Sequence, residues 1–214
     1  MKLSYDCIPC SINNYLRLIK GGLIPHEKQE KILRFLLEFL SDVDYRITPP
    51  ALGRQLQRIL RRVLENPDPY CDIKKEHNRL MLGMQEKLYN SALQSPDPFN
   101  AALRLAIAGN VIDFGSYHRL DVLETIENVR RAELAIDDSA LLREELGKAD
   151  TILYIGDNAG EIVLDAVFLR IIGHPNISFA VRGKPVLNDA LEEDAAEAGI
   201  DKYARIITTG DDAP

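Results

Sequence analysis

The 214-residue sequence contains no tryptophan, and aromatic residues of all kinds make up only 7% of the chain. Proteins that bind single-stranded nucleic acid usually stack the bases on aromatic side chains, so we do not expect this class of ligand. Positive charge is also in deficit, with 26 lysine and arginine residues against 33 aspartate and glutamate residues. The net charge of −7 argues against a nucleic-acid partner. It is compatible with a small phosphorylated ligand, which needs only a local cationic site.

Cysteines and long apolar runs are equally scarce. Cys7, Cys10 and Cys71 are too few for a disulfide framework. No apolar run is long enough to span a bilayer, and the first ten residues lack the apolar segment of a secretory signal. We therefore expect a cytoplasmic protein with no membrane partner. Cys7 and Cys10 form a C-x-x-C pair, for which we favour a structural role at the start of the first helix over a zinc site.

The first half of the chain has the apolar spacing of amphipathic helices. After Pro49 and Pro50, apolar residues recur at helical spacing from 52 to 64. The opposite face of this helix is basic and carries Arg54, Arg58, Arg61 and Arg62. We interpret it as a solvated face, with anion binding as the alternative. Further helices are predicted over residues 32–40, 72–92 and 99–108.

The second half changes to alternating strands and helices. Apolar, β-rich runs at 151–155, 177–181 and 205–209 are separated by helical segments at 162–172 and 187–198. This order predicts an α/β fold with a parallel sheet, and the continuous apolar strands predict burial on both faces. A parallel sheet of three strands is small for this class. We therefore expect further strands to come from a C-terminal extension or from elsewhere.

Ligands of such sheets bind outside the carboxyl ends of the strands, which here are the loops 156–161, 182–189 and 208–212. Asp157 and Asn158 follow the first strand, and Asp189 lies at the end of the second of these loops. Two carboxylates and one amide form an all-oxygen set that suits Mg²⁺ or Mn²⁺. The alternative interpretation of Asp157 and Asn158 is a helix cap and turn without a metal.

Phosphate-binding groups are predicted beside this oxygen set. Gly160 precedes a helix whose first N–H groups are suited to bind an anion. Arg182 and Lys184 lie in the second loop and supply positive charge. A divalent cation beside such donors is what phosphoryl chemistry needs. The loop lacks the G-x-G-x-x-G spacing of dinucleotide-binding proteins, and no P-loop signature is present.

A second polar cluster follows the apolar, alanine-rich helix at 99–108. Asn110 and Asp113 lie there in an otherwise apolar setting. Burial of such groups without partners is costly, so they either tie down the end of the helix or line a pocket. The sequence leaves both interpretations open.

Three short motifs, in this order, resemble those of the damage-control phosphatase family, also known as the ARMT-like or domain-of-unknown-function 89 family. They are Gly109-Asn-Val-Ile-Asp113, Gly156-Asp-Asn-Ala-Gly-Glu161 and Pro185-Val-Leu-Asn-Asp189. The segments Asp6-Cys-Ile-Pro-Cys10 and Asp68-Pro-Tyr70 resemble the small prokaryotic subfamily. The resemblance covers essentially the whole chain.

This resemblance implies a helical N-terminal region, residues 1–118, packed on a Rossmann-like three-layer α/β/α domain, residues 119–214. It implies a metal-dependent phosphatase that hydrolyses small phosphorylated metabolites such as sugar phosphates or nucleotides. Mn²⁺, Co²⁺, Ni²⁺ and Mg²⁺ are the candidate cofactors. Family members continue into a segment with a Lys-Gly motif, whose phosphate-binding lysine has no counterpart in this sequence.

The resemblance also implies roles for individual residues. The metal ligands would be Asp157, Asn158 and Asp189. Glu161, Asn110 and Asp113 would line the substrate pocket and, together with Asp157, would take part in catalysis. Arg182 would contact the phosphate.

Two functions of other classes remain open at this point. One is a non-catalytic module that binds a nucleotide or an adenosyl cofactor in the same loop, and the other is a carboxyl methyltransferase. A binding module should hold its ligand in the presence of a chelator, whereas a metal-dependent phosphatase should lose turnover. The acidic Asp157 does not favour adenosylmethionine binding. The sequence also leaves a homo-oligomer open.

Overall fold

The computed structural model describes residues 2–112 and 122–211 of the chain. Helices come first, with bounds α1 Cys7–Lys20, α2 His26–Ser41, α3 Pro49–Leu64, α4 Cys71–Leu93, α5 Pro98–Val111, α6 Val122–Arg131 and α7 Ser139–Lys148. Strands and helices then alternate as β1 Ile152–Ile155, α8 Glu161–Ile172, β2 Ile177–Val181, α9 Glu192–Glu197, a short 3-10 helix Ile200–Lys202 and β3 Arg205–Thr208. None of the helices in the described ranges has the length and apolar character needed to cross a bilayer.

The chain forms two compact units. Of the described residues, the first unit contains 2–72, 184–187 and 211, and the second contains 73–112, 122–183 and 188–210. The domain boundary predicted between residues 118 and 119 lies outside the described residues and stays a prediction.

The first unit is helical, as its apolar spacing predicts. Helix α3 begins where Thr48 Oγ1 accepts a hydrogen bond from the Ala51 N–H, with Pro49 in the first turn. The apolar stripe of this helix is buried, and the Tyr15 hydroxyl of α1 donates to the Leu56 carbonyl at 2.5 Å. On the basic face, Arg61 donates to the Pro185 carbonyl at 2.5 Å. This arginine therefore ties residues 184–187 to the first unit.

The second unit is built around α8 and a parallel sheet with the strand order β1-β2-β3. Residues 161–169 of α8 are all buried, as expected for a helix that is apolar on nearly every side. Helix α5 packs on it, and the rings of Phe99 and Phe168 meet edge to face with centroids 5.4 Å apart. The α/β fold class with a parallel sheet is thereby confirmed.

The structure differs from the sequence prediction at two elements. Leu153 and Ile155 are 62% and 71% exposed and alternate with the half-buried Ile152 and Tyr154, so only one face of β1 is covered within the described residues. The predicted helix over 187–198 is also too long, since α9 begins only at Glu192. Residues 188–190 are instead drawn into backbone pairing with residues 157–159.

Candidate active site

The loop between β1 and α8 is shaped by two glycines. A Cβ atom on Gly156 would lie 2.5 Å from ring atoms of Phe179, so only glycine allows β1 to end against this ring. Gly160 has φ +85°, a conformation that favours glycine, and it closes the turn immediately before α8. The three intervening positions include Asp157 and Asn158, which are therefore held at the carboxyl end of β1.

The loops that follow β1 and β2 are joined by a short antiparallel bridge between Asn158 and Asp189. The Ala159 N–H donates to the Asn188 carbonyl at 2.9 Å, and the Ala190 N–H donates to the Asp157 carbonyl at 2.7 Å. Two residues paired in this way have Cα atoms about 4.5 Å apart and side chains on the same side. The structure therefore brings Asn158 and Asp189 together, as the sequence predicts for residues that share a ligand.

The Asn158 side chain connects two carboxylates. Its amide Nδ2 donates to Asp157 Oδ2 at 3.0 Å and to Glu161 Oε2 at 3.2 Å. The other oxygen of Glu161, Oε1, accepts from Asn110 Nδ2 at 3.4 Å, at the end of α5. Four of the predicted site residues, Asp157, Asn158, Glu161 and Asn110, thus form one hydrogen-bonded group.

Asp189 is buried and forms an ion pair with a neighbouring predicted site residue. Its Oδ2 lies 2.6 Å from Nε of Arg182, whose side chain is partly exposed. Burial raises the pKa of the Asp189 carboxyl, the Arg182 guanidinium opposes that rise, and the negative charge of Asp157 adds to it. The carboxylates of Asp157 and Asp189 are therefore close enough to repel each other.

Glu161 and a second acidic residue on α8 continue this acidic group into the interior. Burial raises the pKa of Glu161, the bond from Asn158 opposes the rise, and the charge of Asp157 adds to it. One turn further along, buried Asp165 accepts a hydrogen bond from the Tyr154 hydroxyl at 2.7 Å. Asp165 is not among the predicted site residues, although an acidic residue inside the apolar segment Ile162–Leu169 is a recognisable signal.

The Asp165 carboxyl gives the folding free energy a distinctive pH dependence. Burial raises its pKa from 3.8 to about 8, the Tyr154 hydroxyl opposes this, and the charges of Glu161 and Asp157 add to it. The folded protein holds this proton at neutral pH, whereas the unfolded chain releases it above about pH 4. The carboxyl therefore stabilises the fold fully at low pH, and this stability is lost as the pH rises through about 8.

Asp165→Asn is expected to remove this contribution, because an amide keeps the shape and an acceptor for Tyr154 but carries no titrating proton. Without added metal, the wild type should lose on the order of several kcal/mol relative to the variant between about pH 4 and about pH 8. Urea unfolding at a series of pH values measures the difference. Equal pH profiles of the two proteins would show that Asp165 does not titrate in this way.

Gly160 does not have the predicted role of a free donor for phosphate. Its N–H donates to Asn78 Oδ1 at 2.7 Å, and the N–H groups of Ile162 and Val163 donate to the carbonyls of Asn158 and Gly160. These amides at the start of α8 are thus bonded within the protein and are unavailable to an anion in this conformation. Asn78 was missed because its partner is 82 residues away in the sequence.

Two predicted site residues cannot be added to this group. Asp113 lies outside the described residues. Lys184 is exposed and belongs to the segment 184–187 of the first unit, so its predicted phosphate contact stays a prediction. After β3, the Thr209 N–H donates to the Val181 carbonyl at 2.9 Å, so the third loop begins beside the end of β2, while Asp212 is outside the described ranges.

The cysteines contribute no metal centre to the described part of the chain. Cys7, Cys10 and Cys71 are free thiols. Within residues 2–112 and 122–211, no three side chains drawn from His, Cys, Asp and Glu are grouped so that they could hold an ion by themselves. The three predicted metal ligands are not a group of this kind, because one of them is the amide side chain of Asn158 and only Asp157 and Asp189 are carboxylates.

The chemistry of this set fits a divalent cation. Its potential ligand atoms are all oxygens, which hard cations prefer. Burial raises the pKa of the Asp189 carboxyl, and the negative charge of Asp157 adds to that rise. A cation bound beside both carboxylates would offset this repulsion.

The parallel sheet, with its acidic loops at the carboxyl ends of two adjacent strands, places the chain among the α/β proteins whose ligands bind outside the carboxyl ends of the strands. The damage-control phosphatase ARMT1-like domain matches residues 3–214. The chain belongs to this family.

Several relatives support the assignment. An uncharacterized protein of Methanocaldococcus jannaschii is 35% identical over 99% of this chain and 72% of its own length. A damage-control phosphatase of Pyrococcus horikoshii is 30% identical over 98% of this chain and 74% of its own length. The crystal structure of a DUF89 family protein from the same organism matches with a TM-score of 0.86 and 29% identity, over 100% of this chain and 75% of that one. The named relatives support a phosphatase-type function.

Proposed function

We propose that this protein is a divalent-metal-dependent phosphatase that hydrolyses small phosphorylated metabolites. The observation that carries the proposal is the bridge between Asn158 and Asp189, which brings a carboxylate–amide pair and a second carboxylate to one place. Membership of the damage-control phosphatase family supports the reaction type.

In this proposal Asp157, Asn158 and Asp189 hold the cation. When bound, the cation supplies Lewis-acid activation of the phosphoryl group and orients its oxygens. Asp189 is buried and Asn158 is fixed by two carboxylates, so the ligand atoms are restrained before the cation arrives. A restrained set of ligands favours tight binding because little ordering remains to be done.

Arg182 and Glu161 act on the substrate side of the site. The partly exposed guanidinium of Arg182 is anchored by Asp189 and has further N–H groups that can donate to phosphate oxygens. Glu161 is held by Asn158 and Asn110, and its carboxylate orients the attacking water and takes up its proton. Water is the nucleophile in this scheme, because Asp157 is committed to the cation.

Hydrolysis of p-nitrophenyl phosphate tests the proposal. Turnover should fall by about 100-fold or more in a chelator and return on addition of Mn²⁺, Co²⁺, Ni²⁺ or Mg²⁺, since the cation contributes several kcal/mol of charge stabilisation. Full turnover in the chelator would contradict it. Nucleotide binding that persists in the chelator, without turnover under any condition, would favour a non-catalytic binding module.

A further inference from the structure

A buried polar network lies on the inward face of α4, whose residues 73–93 belong to the second unit. Lys74 and Asn78 are one helical turn apart and are 1% and 0% exposed. They occupy positions on the same stripe as the buried apolar residues Met81 and Leu88. Long polar side chains are rarely buried so completely unless they are bonded to specific partners.

Asn78 bonds to both sides of the candidate site. Its Oδ1 accepts the Gly160 N–H at 2.7 Å, three residues after Asp157. Its Nδ2 donates to Asp194 Oδ1 at 2.9 Å, at the start of α9. One amide side chain therefore connects the loop that follows β1 with the segment that follows Asp189.

Asp194 completes the connection on the second side. Its Oδ2 accepts the Leu191 N–H at 2.9 Å, two residues after Asp189. The ammonium group of Lys74 lies 3.3 Å from the same oxygen, and its charge also acts on Asp189. Lys74 thus balances the charge of a carboxylate that restrains the Asp189 segment.

We propose that Lys74, Asn78 and Asp194 are positioning residues that hold the two ligand-bearing loops at the spacing required by one divalent cation. This inference rests on the proposed function, because it concerns the cation site assigned there. The hydrogen bonds of Asn78 and Asp194 to these loops go to backbone N–H groups and not to the side chains of the proposed ligands. The three residues act through the backbone at Gly160 and Leu191 on Asp157, Asn158 and Asp189.

Stability alone does not account for such a network. An apolar cluster of similar volume is often as stable as a buried ion pair or more so, because charged groups lose their hydration on burial. A fully bonded network instead fixes one arrangement of the backbone, since any shift leaves a buried group without a partner. Metal ligands need to be held within about 0.5 Å, which is the kind of restraint that this network provides.

Asn78→Ala, compared with Gln85→Ala, tests the inference. Gln85 lies two turns further along α4 and donates to the carbonyls of Val163 and Ala198 at 3.3 and 3.2 Å, so it also joins α8 to the end of α9. It has no bond to the loops that carry the predicted ligands. Both variants remove an amide that links the same helices, but only Asn78→Ala releases the Gly160 N–H.

Calorimetric titration with Mn²⁺ and hydrogen exchange at the Gly160 and Leu191 amides are the two readouts. Asn78→Ala should bind Mn²⁺ about 10–100-fold more weakly, as is typical when a supporting residue of a metal site is lost. Both amides should exchange faster, and saturating Mn²⁺ should restore most of kcat. Gln85→Ala should lower the melting temperature while its Mn²⁺ affinity stays within about twofold of the wild type.

Asp194→Asn provides a second variant should Asn78→Ala fail to fold. It keeps the shape of the side chain but removes the charge that Lys74 balances, and it is expected to weaken Mn²⁺ binding about 10-fold. Wild-type Mn²⁺ affinity in the folded variants, or an equal loss in Gln85→Ala, would overturn the positioning role and leave the proposed function intact. Absence of both Mn²⁺ binding and turnover in the wild type would instead refute the proposed function, and the positioning role with it.

Discussion

Asp157→Ala is expected to lower metal-dependent phosphatase turnover by about 1,000-fold. The substitution removes a ligand from the proposed cation site, and a cation held by too few oxygens no longer stabilises the developing charge on the phosphoryl group. The folded protein should survive the change. Asp157 raises the pKa of Glu161, Asp165 and Asp189, so its removal relieves repulsion among buried carboxylates.

The melting temperature of Asp157→Ala without metal should therefore stay the same or rise. This measurement distinguishes a loss of catalysis from a loss of folding. Asp201→Asn serves as the control, because Asp201 is an exposed acidic residue of the same unit, away from the three proposed ligands in sequence. Its turnover should match that of the wild type. Turnover of Asp157→Ala within a few-fold of the wild type would exclude Asp157 as a ligand.

Lys74→Met is expected to lower the free energy of unfolding by about 3–5 kcal/mol. Lys74 lies 3.3 Å from Asp194, and both side chains are almost completely buried. Methionine fills a similar volume but leaves Asp194 without the charge of Lys74 in an environment that solvates it poorly. The loss of one partner of a buried ion pair is far more costly than the loss of an exposed one.

Urea unfolding at pH 7 measures this effect, with Lys87→Met as the matched control. Lys87 lies on the same helix but is exposed, so its replacement should change the stability by no more than about 0.5 kcal/mol. The double variant Lys74→Met with Asp194→Asn should recover part of the lost stability, since no unpaired buried charge then remains and the amide oxygen still accepts a hydrogen bond. A loss below about 1 kcal/mol for Lys74→Met would show that the ion pair between Lys74 and Asp194 contributes no more to stability than an exposed ion pair does.

Local sequence patterns predict the elements that position the site. Helix α8 follows from an apolar run that begins after a glycine turn, and the observed Glu161–Ile172 agrees with the predicted 162–172. The loops after β1 and β2 could be identified as candidate ligand-binding loops because parallel strands present their carboxyl ends at one edge of the sheet. These loops contain Asp157, Asn158 and Asp189, whose role as metal ligands stays a prediction.

Other features depend on partners that are far apart in the sequence. The segment 188–190 lies within the helix predicted over 187–198, yet pairing with residues 157–159 draws it out of a helix. Leu187, at φ +48°, turns the chain just before this segment. Asn78 and Asp194 are 116 residues apart, and only their burial on otherwise apolar stripes hints that they have specific partners. Tertiary hydrogen bonding thus overrides local propensity at these positions.

An anomalous difference map from a crystal soaked in Mn²⁺ would locate the cation. We expect a peak coordinated by side-chain oxygens of Asp157, Asn158 and Asp189 at distances typical of Mn²⁺–oxygen bonds, and no such peak in Asp157→Ala. A Mn²⁺ peak elsewhere, with the side chain of Asp189 still engaged only by Arg182, would contradict the claim that these loops form the cation site.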